Sequence, residues 1–185
     1  MTSHRLIAGA ATAAGVLAAA TLAGTSPAQA LPPTTRVVKD AVEPGKAFDI
    51  TQVKLRSAPR SNRPAVVLVR HGRTVKFGDA IDIWFDLDGD KVPDVHVSGD
   101  AFSEFTVHKT ASFTKDGKDI SDLDCARLSM AGSVSKVRLF PECVGQPVGF
   151  AVAVKSSSEG EPVSSDDWAP ATQKFTKQVL AAPLS

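Results

Sequence analysis

Apolar and polar residues alternate along much of the chain with a period of two. The clearest stretch runs from Phe48 to Arg56 and places Val53 and Leu55 on the same face. This pattern is typical of a β-strand that buries one face. No stretch of about twelve residues carries its apolar side chains at helical spacing. The pattern therefore predicts an all-β protein.

Short apolar segments recur along the chain, separated by clusters of Gly, Pro, Asp and Ser that favour turns. Because each alternating strand has to bury one face, two antiparallel sheets packed face to face are expected. We predict an antiparallel β-sandwich of about eight or nine strands, Ig-like or jelly-roll in type. The further segments span residues 65–70, 81–85, 95–97, 102–108, 126–130, 134–140, 148–154 and 174–180.

For three other groups of residues, the sequence context predicts whether they are exposed or buried. Residues 70–73, Arg-His-Gly-Arg, favour a solvated turn over an anion site. Residues 155–162 are polar and are expected to form an exposed loop. The phenylalanines at strand-like positions are expected in the core; they are Phe48, Phe77, Phe102, Phe105, Phe113, Phe140, Phe150 and Phe175.

The first thirty residues have the features of a secretory signal peptide. A short segment with one arginine precedes an alanine-rich apolar run, and the stretch ends in Ala28-Gln29-Ala30, an A-x-A cleavage signal. The alternative is a retained membrane anchor, which the alanine content and the cleavage signal disfavour. We predict a secreted, extracellular protein with one domain over residues 31–185 and no membrane span after cleavage.

Charge and cysteine content narrow the classes of partner and of site. Of 21 basic residues one lies in the leader, which leaves 20 basic against 20 acidic residues. Because there is no basic stripe, nucleic-acid binding is not expected. We expect a monomer.

Cys125 and Cys143 are the two cysteines, and in an oxidising compartment they favour a disulfide. A redox pair or a thiolate metal site is disfavoured, because there is no CxxC spacing. The bond would stabilise the fold by about 3 kcal/mol in the chain-entropy model.

The most distinctive segment is the nonapeptide Asp-Leu-Asp-Gly-Asp-Lys-Val-Pro-Asp, residues 86–94. Four carboxylates so close together repel one another unless a cation lies among them, and Ca²⁺ prefers such hard oxygen ligands. A solvated acidic turn is the alternative. The expected ligands are the side chains of Asp86, Asp88, Asp90 and Asp94 and the backbone carbonyl of Val92.

The residues on either side of this segment are expected to form two antiparallel strands of a hairpin. If Asp86 and Asp94 face each other, the apolar residues share one face, apart from Trp84, and a one-residue slip would reverse them. The metal would then lie at the hairpin tip. The expected pairs are Phe85 with Val95, Trp84 with His96, Ile83 with Val97, and Asp82 with Ser98.

The acidic loop resembles the calcium loops of FG-GAP repeats in integrin-type propellers, and it is similar to loops of dockerins and thrombospondin repeats. That resemblance implies the ligand roles given above. Two departures limit it to the loop itself. FG-GAP loops usually have glycine where Lys91 stands, and an EF-hand would need a glutamate where Val97 stands. An opening strand, Gly78-Asp79-x-Ile81 and then the acidic hairpin form a second pattern. Over about residues 47–110 and 166–170 it resembles secreted bacterial β-sandwich domains of the DOMON-like and family 9 carbohydrate-binding types, which implies structural calcium.

The sequence favours a non-catalytic protein. Its histidines show no HExxH spacing, and no GxSxG nucleophile elbow is present. In the predicted hairpin, Trp84 and His96 lie side by side, and an exposed tryptophan there would suit a glycan or a protein ligand. The alternative is that another segment covers Trp84. The leading hypothesis is a calcium-stabilised binding or structural module; a small hydrolase, or an inhibitor acting through residues 155–162, is the alternative.

Overall fold

A computed structural model describes residues 33–60, 62–162 and 165–182, so the predicted leader lies outside the described residues. The described chain forms two antiparallel sheets, which confirms the all-β sandwich. The strands are β1 (Thr35–Lys39), β2 (Ile50–Arg56), β3 (Ala65–His71), β4 (Asp79–Asp86), β5 (Val95–Asp100), β6 (Phe105–Thr110), β7 (Asp116–Asp119), β8 (Ala126–Ala131), β9 (Val134–Leu139), β10 (Gly149–Ser158), β11 (Asp167–Ala169) and β12 (Val179–Leu180). Single 3-10 turns occur at Ser121–Leu123 and Pro141–Val144.

The two sheets have different strand orders. The first sheet runs β1-β2-β3-β9-β8, and the second runs β11-β10-β4-β5-β6-β7, with β12 also paired to β10. Each predicted segment overlaps an observed strand, but the predicted number was too low because β1, β7 and β11 were missed. β7 reads Asp-Gly-Lys-Asp and β11 has three residues, so neither carries a recognisable alternation.

The hydrophobic core lies between the two sheets. On β4 the alternate residues Ile81, Ile83 and Phe85 are fully buried, and on β10 Val152 and Val154 are as well. The predicted register of the β4–β5 hairpin is confirmed at each predicted pair. Its intervening residues, among them Asp82, Trp84, His96 and Ser98, therefore point to the outer face of the second sheet.

Two phenylalanines contradict the expectation that this residue type fills the core. Phe77 is 82% exposed and Phe102 is 79% exposed. Both lie in connections, Phe77 before β4 and Phe102 after β5, where no strand carries them inward. Phe48 and Phe150 are buried as expected. The other four predicted positions are half-buried: Phe105, Phe113, Phe140 and Phe175.

The interpretation of residues 70–73 as a solvated turn was wrong. His71 is 5% exposed, and its Nε2 lies 2.9 Å from Ser135 Oγ. Its ring stacks on Phe48 with 3.7 Å between ring centroids. Arg73 makes a bidentate ion pair with Asp79, with both N–O distances at 2.6 Å. His71 and Arg73 are therefore part of the packed structure, whereas Arg70 and Gly72 are exposed.

The expected loop at residues 155–162 begins later than predicted. β10 continues to Ser158, and Lys155 lies beside Asp82 of β4, with Nζ 2.9 Å from Oδ2. Only residues 159–162 remain outside the strand. The serine-rich composition suggested a loop, but β10 stays paired with β4 as far as Asp79.

A disulfide joins Cys125 to Cys143, as predicted, with 5.3 Å between the Cα atoms. Cys125 directly precedes β8, and Cys143 lies in the 3-10 turn that follows β9. The bond therefore closes the open end of the β8–β9 hairpin at the edge of the first sheet. Within the described residues, no helix is long and apolar enough to cross a membrane.

Candidate functional site

The acidic loop lies at the tip of the β4–β5 hairpin, as the register predicted. Asp86 is the last residue of β4 and is 2% exposed, and it lines a cavity together with residues 173–178. The loop closes where the Asp94 amide donates to the Phe85 carbonyl at 2.8 Å. The hairpin geometry therefore brings the two ends of the acidic segment together.

Three of the four aspartates place carboxylate oxygens close together. Ligand atoms of Asp86, Asp88 and Asp94 all lie within 4.8 Å of one another. Backbone amides orient two of them: the Gly89 amide donates to Asp86 Oδ1 at 2.6 Å, and the Leu87 amide donates to Asp94 Oδ2 at 2.7 Å. The cluster is thus held by the loop backbone itself.

Lysines lie near this cluster: Lys109 lines a cavity with Asp88 and Asp94, and Lys91, Lys174 and Lys177 line one with Asp86. Within the described residues, no Lys, Arg or His forms an ion pair with Asp86, Asp88 or Asp94. Burial, and then the repulsion from neighbouring carboxylates, raises the pKa of Asp94 above its ordinary value. A donor set made only of carboxylate oxygens fits Ca²⁺, which takes hard oxygen ligands and would remove this repulsion.

The remaining predicted ligands lie on the outer part of the loop. Asp90 is outside the close group, and its Oδ1 accepts a hydrogen bond of 2.7 Å from the Val92 amide. Val92 is 41% exposed. Between them Lys91 has φ of 69°, a left-handed conformation that costs a non-glycine residue about 1–2 kcal/mol. Glycine would adopt this conformation without that cost.

The outer face below the loop is covered. Trp84 is 3% exposed and His96 is 6% exposed. The indole of Trp84 stacks between two rings, with 4.5 Å to His96 and 5.2 Å to Trp168, and Phe113 packs at 5.4 Å. Trp84 therefore presents no stacking surface to solvent. The glycan site expected at Trp84 and His96 lacks the exposed tryptophan on which that expectation depended.

His96 is instead the buried centre of a polar network that reaches the surface at Asp116. Its Nδ1 lies 2.7 Å from Asp116 Oδ1, and its Nε2 lies 3.1 Å from Asp82 Oδ1. Asp82 also accepts from Ser98 Oγ at 2.7 Å and pairs with Lys155. Sequence reasoning placed Asp82 and His96 on one face but missed Asp116 and Lys155, which lie on other strands.

The network alters the protonation of both of its central groups. Burial would lower the pKa of His96, but the hydrogen bonds to Asp82 and Asp116 outweigh it and raise this pKa above the usual value. Burial would raise the pKa of Asp82, yet the His96 hydrogen bond and the Lys155 charge lower it to about 2. The folded state therefore favours a positive His96 stacked on Trp84, which is a favourable cation–π geometry.

This network predicts a loss of stability at alkaline pH. Because the folded pKa of His96 lies above the unfolded value of about 6.5, its contribution is complete below that pH and disappears as pH rises through the folded pKa. We expect the urea midpoint of the protein to fall between pH 7 and pH 9, above the range in which His71 changes its protonation. The midpoint of His96→Gln should change less over this interval, and an equal change in both proteins would contradict the assignment.

Comparison with known proteins places the chain in no family. No protein-family model matches the sequence, and no curated protein gives a significant match.

Proposed function

We propose that this protein is a secreted, non-catalytic β-sandwich module in which the Asp86–Asp94 loop binds one Ca²⁺ ion that stabilises the fold. The observation that carries the proposal is the group of three carboxylates whose oxygens lie within 4.8 Å of one another. Carboxylates at this spacing, which form no ion pair among the described residues, repel one another. A divalent ion would reverse the sign of that interaction.

The proposed role of the ion is structural because of where the loop lies. Asp86 belongs to β4 and also pairs with Ala151 of β10, so the cluster is attached to the middle of the second sheet. Asp86 and Asp94 would hold the ion at the two strand ends, and Asp88 would hold it from the loop. An ion in this position would resist separation of β4 from β5.

The histidines give the hydrolase alternative little support. His71 and His96 are buried, and His71 Nε2 and both ring nitrogens of His96 contact Ser135, Asp82 and Asp116, whereas His108 is half-buried on β6. A general acid or base has to reach the proton that it transfers to or from a substrate. The inhibitor alternative is also weakened, because the first half of its candidate loop lies within strand β10.

Calcium is expected to raise the melting temperature of the purified protein relative to EDTA. At a free calcium concentration 100 times Kd, binding to the folded state alone stabilises by about 2.7 kcal/mol. Extracellular sites often have Kd near 10⁻⁴–10⁻³ M, so about 10 mM calcium is an adequate test. The melts are compared at equal ionic strength, with NaCl replacing CaCl₂, because salt alone screens the aspartates.

Two variants make this experiment specific for the loop. Asp88→Asn removes a charge from the cluster and should abolish most of the calcium-dependent shift. Asp122→Asn removes an exposed charge from the 3-10 turn at Ser121–Leu123 and should keep the full shift. A calcium response that is absent in the unmodified protein, or equal in both variants, would overturn the proposal.

A further inference from the structure

We propose that a groove between Phe77 and Phe102 binds an arginine side chain carried on an exposed segment of a partner protein. The groove lies where β4 begins and β5 ends, whereas the acidic loop lies where β4 ends and β5 begins. The two sites are therefore at opposite ends of the same hairpin. The inference goes beyond the proposed calcium function and does not depend on it.

The groove is a cavity of about 570 Å³ that is lined by both aromatic and polar groups. Among the described residues that line the groove, Phe77 and Phe102 are the most exposed large apolar side chains. Large apolar side chains left in water at one place on a surface commonly mark an interaction site. Around them lie Ala80, Asp100, Ser103, Ser157, Ser158 and Glu159.

The backbone at Phe102 shows that its exposure is imposed by the turn. The Ser103 amide donates to the Asp100 carbonyl at 3.3 Å, which closes a turn, and Phe102 within it has φ of 65°. Glycine or asparagine is the usual residue at such a position, and a bulky side chain there is strained. Strained residues of this kind concentrate at binding sites, where a function compensates for the conformation.

The charge of the groove selects a cation. Asp100 and Glu159 are exposed, and neither forms an ion pair or a side-chain hydrogen bond within the described residues. Among the described residues, no Lys, Arg or His lines the cavity. Two carboxylates beside two phenylalanine rings form a site for a group that is positive and can stack on an aromatic face.

The same molecule already shows this recognition at a half-buried arginine. The Arg73 guanidinium lies 4.9 Å from the Phe48 ring centroid and pairs with Asp79 through two contacts of 2.6 Å. A guanidinium is planar and weakly hydrated, so it stacks on a ring and bonds a carboxylate at once, which an ammonium does less well. The groove offers both partners to solvent, and this favours arginine over lysine or a neutral ligand.

The test is an NMR titration of the ¹⁵N-labelled protein with acetyl-Gly-Arg-Gly-Arg-Gly-amide. The matched probe replaces both arginines by citrulline, which keeps the shape and removes the charge. We expect amide shifts that centre on Phe77, Asp100, Phe102 and Glu159. The citrulline peptide should bind at least about fivefold more weakly, as expected for the loss of a cation–π contact and an ion pair.

Variants of the groove separate binding from folding. Phe102→Gly suits the left-handed backbone and Phe77→Ala removes an exposed ring, so both should fold and both should bind the arginine peptide at least about threefold more weakly. Val42→Ala, at a site that is 72% exposed and outside the groove, should bind normally. Four results would each overturn the proposal. Two concern the peptides: equal binding of both, or no shifts with either. The others are shifts caused instead by neutral cello-oligosaccharides, and self-association that is lost in Phe77→Ala.

Discussion

Replacing Arg73 by methionine is expected to lower the free energy of unfolding by about 3–5 kcal/mol, because it leaves a buried carboxylate without its charged partner. Asp79 has no exposed side-chain surface. Hydrogen bonds from Arg73, the Lys76 amide and Ser158 outweigh the effect of burial and lower its pKa. Without Arg73 the carboxylate has to take up a proton or admit water. Urea unfolding at pH 7 measures the loss.

An exposed ion pair in the same protein provides the control for this substitution. Arg127 and Asp124 form a pair at 3.2 Å, with side chains 55% and 75% exposed. Arg127→Met should therefore change stability by at most about 1 kcal/mol. The double variant Arg73→Met/Asp79→Leu should recover part of the loss, because no buried charge remains unpaired. If Arg73→Met is no more damaging than Arg127→Met, the buried pair does not have the role assigned to it.

Mild acid is expected to destabilise the protein through His71. Burial lowers the pKa of this imidazole to about 4 in the folded state, against about 6.5 in the unfolded chain. Between these values the unfolded chain binds more protons, so stability falls as pH decreases. The full effect of one such group is about 3 kcal/mol. The nearby Asp79 opposes this pKa shift and Arg73 supports it.

The variant His71→Gln isolates this contribution. Comparing the change in unfolding free energy between pH 7 and pH 4.5 within each protein cancels any cost of the substitution that is independent of pH. The change should be smaller in His71→Gln by about 2 kcal/mol or more. An NMR titration of the His71 ring gives a direct check. A ring that titrates near 6.5, or an equal acid sensitivity of the two proteins, would contradict the prediction.

Local pattern was enough to predict the hairpin that carries the acidic loop. Phe85 and Val95 need the same buried face, and a shift by one residue would have turned Ile83 or Val97 outward. The register was therefore determined by residues within the hairpin itself. The disulfide was predictable for a similar reason, since Cys125 had Cys143 as its one partner.

The covering of Trp84 was not predictable from local pattern. Its neighbours Trp168 and Phe113 come from β11 and from the connection between β6 and β7, and neither segment shows a strong strand signal. Only the three-dimensional arrangement decides whether such a residue is covered. The exposure of Phe77 and Phe102 was missed for the opposite reason, because an apolar residue type was taken to imply burial.

The short strand β7 has a consequence for the behaviour of the protein at high concentration. It forms one border of the second sheet, and all of its side chains are exposed. The bond between Asp116 and His96 holds this border in place. Another chain that added a strand there would bury no apolar side chain and would bring charges against Asp116, Lys118 and Asp119. This border therefore opposes edge-to-edge growth of aggregates.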